Sequence, residues 1–236
     1  MAFGDIVQTA QSHVSGVTTA TASFSAATAG NLIVIGVGSN TAQTWGTTPT
    51  DYNIGAQVTN GSGNMSGIFY WKIAVGGETS ATLAWSNLGS NARWAMMEVE
   101  GAFAASPLDQ TIESEANIST AVTSQSTGTT GTTSQNDEVG IAFFASDSSE
   151  TVETGRGYTN SYTERMWPNA VLGRAGAWFA TLVLSATGTT ETTFSTSDTG
   201  DEMYAALLTF KKAAAGGAGN VNLLAGKFGM KLAGKL

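Results

Sequence analysis

Residues 67–75 read GIFYWKIAV, and the order of residue types in that stretch decides between helix and strand. At a period of two, Ile68, Tyr70, Lys72 and Ala74 fall on one side and Phe69, Trp71, Ile73 and Val75 on the other. The second set is wholly apolar, so the stretch predicts a strand with that set on the core face. Residues 31–38 (NLIVIGVG) form a compact apolar run, the pattern of a buried strand. The same habit recurs in TSATLAW (79–85), ARWAMMEVEG (92–101), EVGIAFFAS (138–146), AGAWFATLVL (175–184) and EMYAALLTF (202–210). Between these runs lie turn signals: Gly76 and Gly77, NLGSN at 87–91 and TGTTGTTSQND at 127–137. Residues 92–99 and 202–210 contain helix-favouring Ala, Met, Leu and Glu, but both are short and flanked by turn residues, so their context favours strand.

Roughly a dozen short strands at a spacing of about 8–15 residues, with no alternation of strand and helix, predict an all-β chain. The architecture expected is a single antiparallel two-sheet β-sandwich of jelly-roll type over residues 1–212, followed by an extended C-terminal arm over 213–236. Thr-rich stretches at 17–24 (VTTATASF) and 189–196 (TTETTFST) suit uncharged outer faces, because Thr is β-branched and polar at once.

Composition narrows the function. Only 12% of the 236 residues are charged, half the usual share of about 25%, while 42% are hydrophobic, so the chain has material for a sizeable core and is not globally disordered. There is no Cys, which excludes disulfide frameworks, thiolate metal sites and Cys nucleophiles. His13 is the sole histidine, so His-rich metal clusters are excluded as well. The N-terminus lacks a basic region followed by an apolar run, and no stretch approaches the roughly 18 apolar residues of a membrane span, so neither a signal peptide nor a membrane partner is expected. Residues 1–210 carry five basic against eighteen acidic residues, net −13, whereas 211–236 carry five basic residues and no acidic one, net +5. An acidic body argues against nucleic acid as partner, since phosphate contacts need clustered Lys and Arg.

The basic end has a pattern of its own. After the linker-like AAAGGAGN at 213–220, Leu224, Phe228, Met230, Leu232 and Leu236 share even parity, and Lys227, Lys231 and Lys235 share odd parity. An extended chain puts those groups on opposite sides, whereas a helix brings Lys235 within about 20° of Phe228. The arm is therefore expected to dock extended, along a sheet edge or groove of a neighbouring subunit, through Leu224, Lys227, Phe228, Met230, Lys231, Leu232 and Lys235.

Candidate chemistry is sparse, and no catalytic residue, metal or cofactor is assigned. His13 has no Gly-x-Ser-x-Gly elbow to pair with and reads as a structural or surface residue. Glu98 and Glu100 share one strand face roughly 7 Å apart, a spacing glycosidases use, although such pairs usually come from different strands. Asp198, Asp201 and Glu202, and likewise Asp147, Glu150 and Glu153, could offer oxygens to calcium, but neither group has a recognised loop spacing and solvated loops are favoured. Tyr158, Tyr162 and Trp167 are the candidate contacts for a glycan or receptor, weighed against their packing on the sandwich.

The succession GNLIVIGVG, YWKIAVGGETSATLAW, MEVEG with PLDQT soon after, and NDEVGIAFFASD behind Thr-rich turns resembles a jelly-roll domain recurrent in bacteriophage virion proteins and in some bacterial surface proteins. It covers residues of about 20–210. The resemblance implies a jelly-roll or concanavalin-like sandwich in a virion component: a capsid decoration protein, a fibre or a tail-tip protein. The function expected is thus that of a non-enzymatic virion structural protein, assembled in the host cytoplasm, a homo-oligomer whose partners are copies of itself and other virion proteins. The alternative is a glycan- or host-receptor-binding module.

Overall fold

The computed structural model describes residues 1–58, 65–87, 91–147, 155–166, 175–197 and 201–214, of which 116–120 and 201 are described in backbone only. Its strands are β1 (Ile6–Ser15), β2 (Thr19–Ser23), β3 (Leu32–Ser39), β4 (Asn53–Val58), β5 (Ser66–Ile73), β6 (Ser80–Ala84), β7 (Asn91–Val99), β8 (Phe103–Val122), β9 (Ser124–Ser126), β10 (Glu138–Ser146), β11 (Gly157–Tyr158), β12 (Thr163–Met166), β13 (Gly176–Leu184), β14 (Thr193–Ser195) and β15 (Asp201–Lys212). The fold is all-β, as the periodicity predicts. Two five-stranded antiparallel sheets, β1-β7-β3-β5-β4 and β12-β13-β10-β15-β8, form the sandwich. Between them lies a core of Leu32, Val34, Phe69, Met97 and Val99 from the first sheet and Ile141, Phe143, Phe179, Tyr204, Leu208 and Phe210 from the second.

Each sheet is also covered on its outer face. The pair β2-β6 packs Ala22, Ala81 and Leu83 on Ile33, Ile35, Ile68, Tyr70 and Met96. The small sheet β11-β14-β9 contributes Phe194, which packs with Phe144, Trp178 and Leu207. This doubly covered arrangement explains why the central strands are unbroken apolar runs: every residue of β3 and of β10 is buried. It also revises the expectation for β5. Ile68, Tyr70, Lys72 and Ala74 are buried beneath the outer layer, whereas Trp71 and Ile73 are half-buried and Val75 is 79% exposed. Strand alternation assigns the two faces correctly but does not reveal that both are inside.

The two halves of the chain are built alike. In chain order, β1, β2, β3, β4, β5, β6 and β7 correspond to β8, β9, β10, β12, β13, β14 and β15, and the sheet order β1-β7-β3-β5-β4 becomes β8-β15-β10-β13-β12. Registers correspond too: Asn53 pairs with Trp71 as Thr163 pairs with Thr181, and Ala56 with Phe69 as Met166 with Phe179. Irregularities recur at equivalent places, between Ile54 and Ala56 and between Glu164 and Met166. A second shift, at Ile6/Gln8 on β1, recurs opposite Phe210/Thr209 between Leu108 and Gln110 on β8. The turns ahead of β4 and β12 put Asp51 (φ 66) and Ser161 (φ 63) in the left-handed region. Side chains persist at some of these sites, as Gln8-Thr9 and Gln110-Thr111, and Tyr52 and Tyr162. The molecule is an internal repeat whose two copies meet face to face.

At the centre, the repeat resolves a packing conflict. Gly36 lies between Phe69 and Ala95, and its counterpart Phe143 lies between Phe179 and Ala206. These positions face each other across the core: a β-carbon on Gly36 would lie 2.2 Å from the Phe143 ring. Only one of the two can be large. The Phe143 ring stands 5.8 Å from Phe69 and 5.4 Å from Phe179, centroid to centroid, filling the space Gly36 leaves.

One segment read as turns is regular. Thr127 and Thr130 each donate a backbone N–H to the carbonyl of Thr192 and Thr190, respectively, and Thr133 donates to Gly188. Each threonine Oγ1 then accepts the N–H of that same partner, at 3.0–3.1 Å. The hydroxyl stands in for a carbonyl, so a segment with a three-residue repeat pairs with an extended one. The ladder buries Thr190 and Thr192, so this stretch is not the outer face that its threonine content suggests.

Candidate functional site

Glu98 lies on β7 and is fully buried. Its carboxylate accepts from Gln8 Nε2 (2.6 Å), Thr28 N–H (2.8 Å) and Asn31 Nδ2 (2.7 Å). Asn31 Nδ2 also reaches Glu100 Oε2 at 3.3 Å, so the two acids of the sequence pattern do meet, through an amide. Gln8 further exchanges two 2.9 Å hydrogen bonds with the backbone of Ser25. Glu98 therefore pins the segment that leads into β3. Its oxygens face three protein donors and leave no approach for a substrate, which removes the glycosidase-like role.

In the second half Thr209 stands where Glu98 does, and the acidic groups lie on neighbouring positions. Asp109 occupies the β8 irregularity and accepts from Ser134 Oγ and Ser134 N–H, both at 2.7 Å, with Lys211 Nζ at 3.4 Å. Burial alone would raise its pKa, but the Ser134 hydrogen bonds outweigh that and hold it at about 2. Glu138, which stands where the first half has Asn31, is fully buried, and burial together with the Asp109 charge pushes its pKa above the ordinary value. A group raised in the folded state stabilises below its unfolded pKa of about 4.3 and loses that contribution as pH rises through the folded value. Asp109 acts in the opposite sense, losing its contribution only as pH falls through about 2. Glu138→Gln is thus expected to gain melting temperature relative to wild type as pH is raised from 4 to 7. Parallel melting curves over that range would contradict the assignment.

The remaining sequence candidates separate clearly. His13 pairs with Arg93 across β1 and β7, and burial, then the Arg93 charge, lower its pKa. Tyr162 is buried, its hydroxyl 3.0 Å from Thr190 Oγ1 and its pKa pushed up to about 12 by burial. Tyr158 is half-buried, packed on Phe194 (5.5 Å) and Phe144 (6.0 Å), with its hydroxyl on Glu164. These tyrosines belong to the outer cluster and do not form an open stacking platform; Trp167 lies outside the described residues. Asp147 Oδ1 caps the Glu202 N–H at 3.0 Å, while Glu150, Glu153 and Asp198 lie outside the described residues. Among the described residues, no group of three His, Asp or Glu side chains could hold a metal ion. The arm residues Leu224, Lys227, Phe228, Met230, Lys231, Leu232 and Lys235 also lie outside them.

Open sites that no sequence motif marks lie elsewhere among the described residues. One, of about 410 Å³, lies beside Leu182, Asn160 and Glu191. Another, of about 470 Å³, lies at β4 and β8, edge strands of the two sheets; its walls include Asp51, Asn53, Trp71, Lys72, Ser106 and Leu108. Lys72 Nζ is held by Glu78 at 3.1 Å and lies 5.4 Å from the Tyr52 ring centroid. Trp71 is set edge-on to Phe210 at 5.5 Å. No protein family, curated protein or solved structure matches this chain.

Proposed function

We propose that the chain is a non-enzymatic structural protein of a virion, of the capsid-decoration or surface type that its sequence resembles, and that its C-terminal segment fastens it to neighbouring subunits. The observation that carries this reading is the charge partition and its first visible consequence. Of the five basic residues at the C-terminal end, Lys211 already pairs with Asp109 (3.4 Å) and Lys212 with Asp137 (3.6 Å) of the acidic body. Lys227, Lys231 and Lys235 follow, and the same complementarity directs them to acidic surfaces of adjoining copies. Glu98 and Asp109 are both engaged in hydrogen bonds within the fold, which fits a scaffold. The main sheets are covered on both faces, so their central strands are not available for assembly.

The test is the mass in solution of the full chain and of residues 1–214. The full chain is expected to form an oligomer that dissociates with added salt, as screened charges require. The shortened chain should keep the same melting temperature and run as a monomer. Equal masses for the two chains would overturn the role of the segment.

A further inference from the structure

We infer that the 470 Å³ cleft between β4 and β8 binds a small neutral saccharide, with Trp71 as the stacking surface and Asp51 and Asn53 as hydroxyl partners. The internal repeat supports this, because the second half builds the same pair of strands with different side chains. There, Trp71, Lys72 and Asn53 are replaced by Thr181, Leu182 and Thr163. On that side Gly4 packs so closely on β13 that a β-carbon on it would lie 2.6 Å from Val183 Cγ2. The repeated fold therefore does not require a tryptophan at this place. Asp51 and Ser161 both have left-handed backbone, although the second turn adds Asn160 (φ 57) where the first has no such residue.

The lining selects the ligand class. The cleft falls within the range of small-molecule sites, about 300–1,000 Å³. An indole offers an apolar face suited to the C–H side of a sugar ring, and Phe210 fixes its orientation. The side chains of Asp51 and Asn53 make no hydrogen bond among the described residues, so an acceptor pair and an amide donor stand free for vicinal hydroxyls. The Lys72 ammonium is already paired with Glu78, and Asp51 adds a negative charge, which together disfavour an anionic ligand. This inference goes beyond the assembly role and does not depend on it.

The test is a glycan array probed with the full chain, followed by calorimetric titration of retained neutral saccharides. Asp51→Gly keeps the left-handed turn and removes the carboxylate, Asn53→Ala removes the amide, and Thr163→Ala is the control in the second half. At least one neutral saccharide is expected to bind, with affinity falling tenfold or more in Asp51→Gly and Asn53→Ala, unchanged in Thr163→Ala, and melting temperatures preserved throughout. Retention of no saccharide by the folded chain would overturn the inference. So would binding that survives the Asp51→Gly/Asn53→Ala double variant, or retention confined to anionic glycans.

Discussion

Exchanging Gly36 and Phe143 is expected to restore much of the stability that either change alone removes. Phe143→Gly empties the centre of the sandwich, where the ring is wholly buried against Phe69, Phe179 and Tyr204. Large-to-small changes at such sites cost about 3–5 kcal/mol, a large fraction of the roughly 5–15 kcal/mol by which domains are stable. Gly36→Phe forces a second ring into space already held by Phe143, and overpacking of this severity is expected to prevent folding at 37 °C. The double variant puts the ring on the first sheet between Phe69 and Ala95, in place of its position on the second between Phe179 and Ala206. Because the repeat makes those surroundings equivalent, a favourable coupling of about 2 kcal/mol or more is expected in the mutant cycle, read by denaturant unfolding. Additive or worse losses would show that the two halves are not interchangeable at their shared centre.

Glu98→Gln is expected to destabilise the protein by about 2–4 kcal/mol, although it changes almost no volume. All three neighbours of the carboxylate are donors: Gln8 Nε2, the Thr28 N–H and Asn31 Nδ2. A carboxylate has two acceptor oxygens, whereas an amide has one oxygen and an NH2, so a donor must then face a donor in a buried site. Glu98→Leu leaves those donors unpaired and should be at least as damaging. Because Gln8 also brackets Ser25, the loss should be accompanied by faster hydrogen exchange at Ser25 and Thr28. A Glu98→Gln variant as stable as wild type would contradict the pinning role.

The parts of this fold that the sequence reveals are those whose burial is written into every position. β3, β5, β7, β10, β13 and β15 announce themselves as apolar runs because outer layers enclose them. β1 and β8 lie at sheet edges, and IVQTAQSHVS in β1 mixes polar and apolar residues without a clean alternation, so neither emerges from periodicity. The Thr127–Thr130–Thr133 ladder has a period of three, which belongs to neither strand nor helix templates, and its glycines read as turns. Gln-Thr at 8–9 and again at 110–111 is a trace of the repeat in the sequence, but the two occurrences become equivalent only once the strand order is known. The same holds for the cleft. Trp71 reads as a core residue on a strand, and what distinguishes it is its contrast with Thr181 at the corresponding register. Tyr158 and Tyr162 show the converse: a polar, aromatic-rich loop suggests a binding surface, while both rings pack with the outer cluster.

The assembly role rests on charge complementarity between an acidic body and a basic end, together with the sequence resemblance. Its most direct test is imaging by electron cryo-microscopy of virions that encode this chain, with stoichiometry measured by mass spectrometry. The chain is expected in many symmetric copies on the particle surface, with density for residues 224–236 reaching an adjoining subunit. Particles complete and stable without the chain in their purified shell or tail would contradict it.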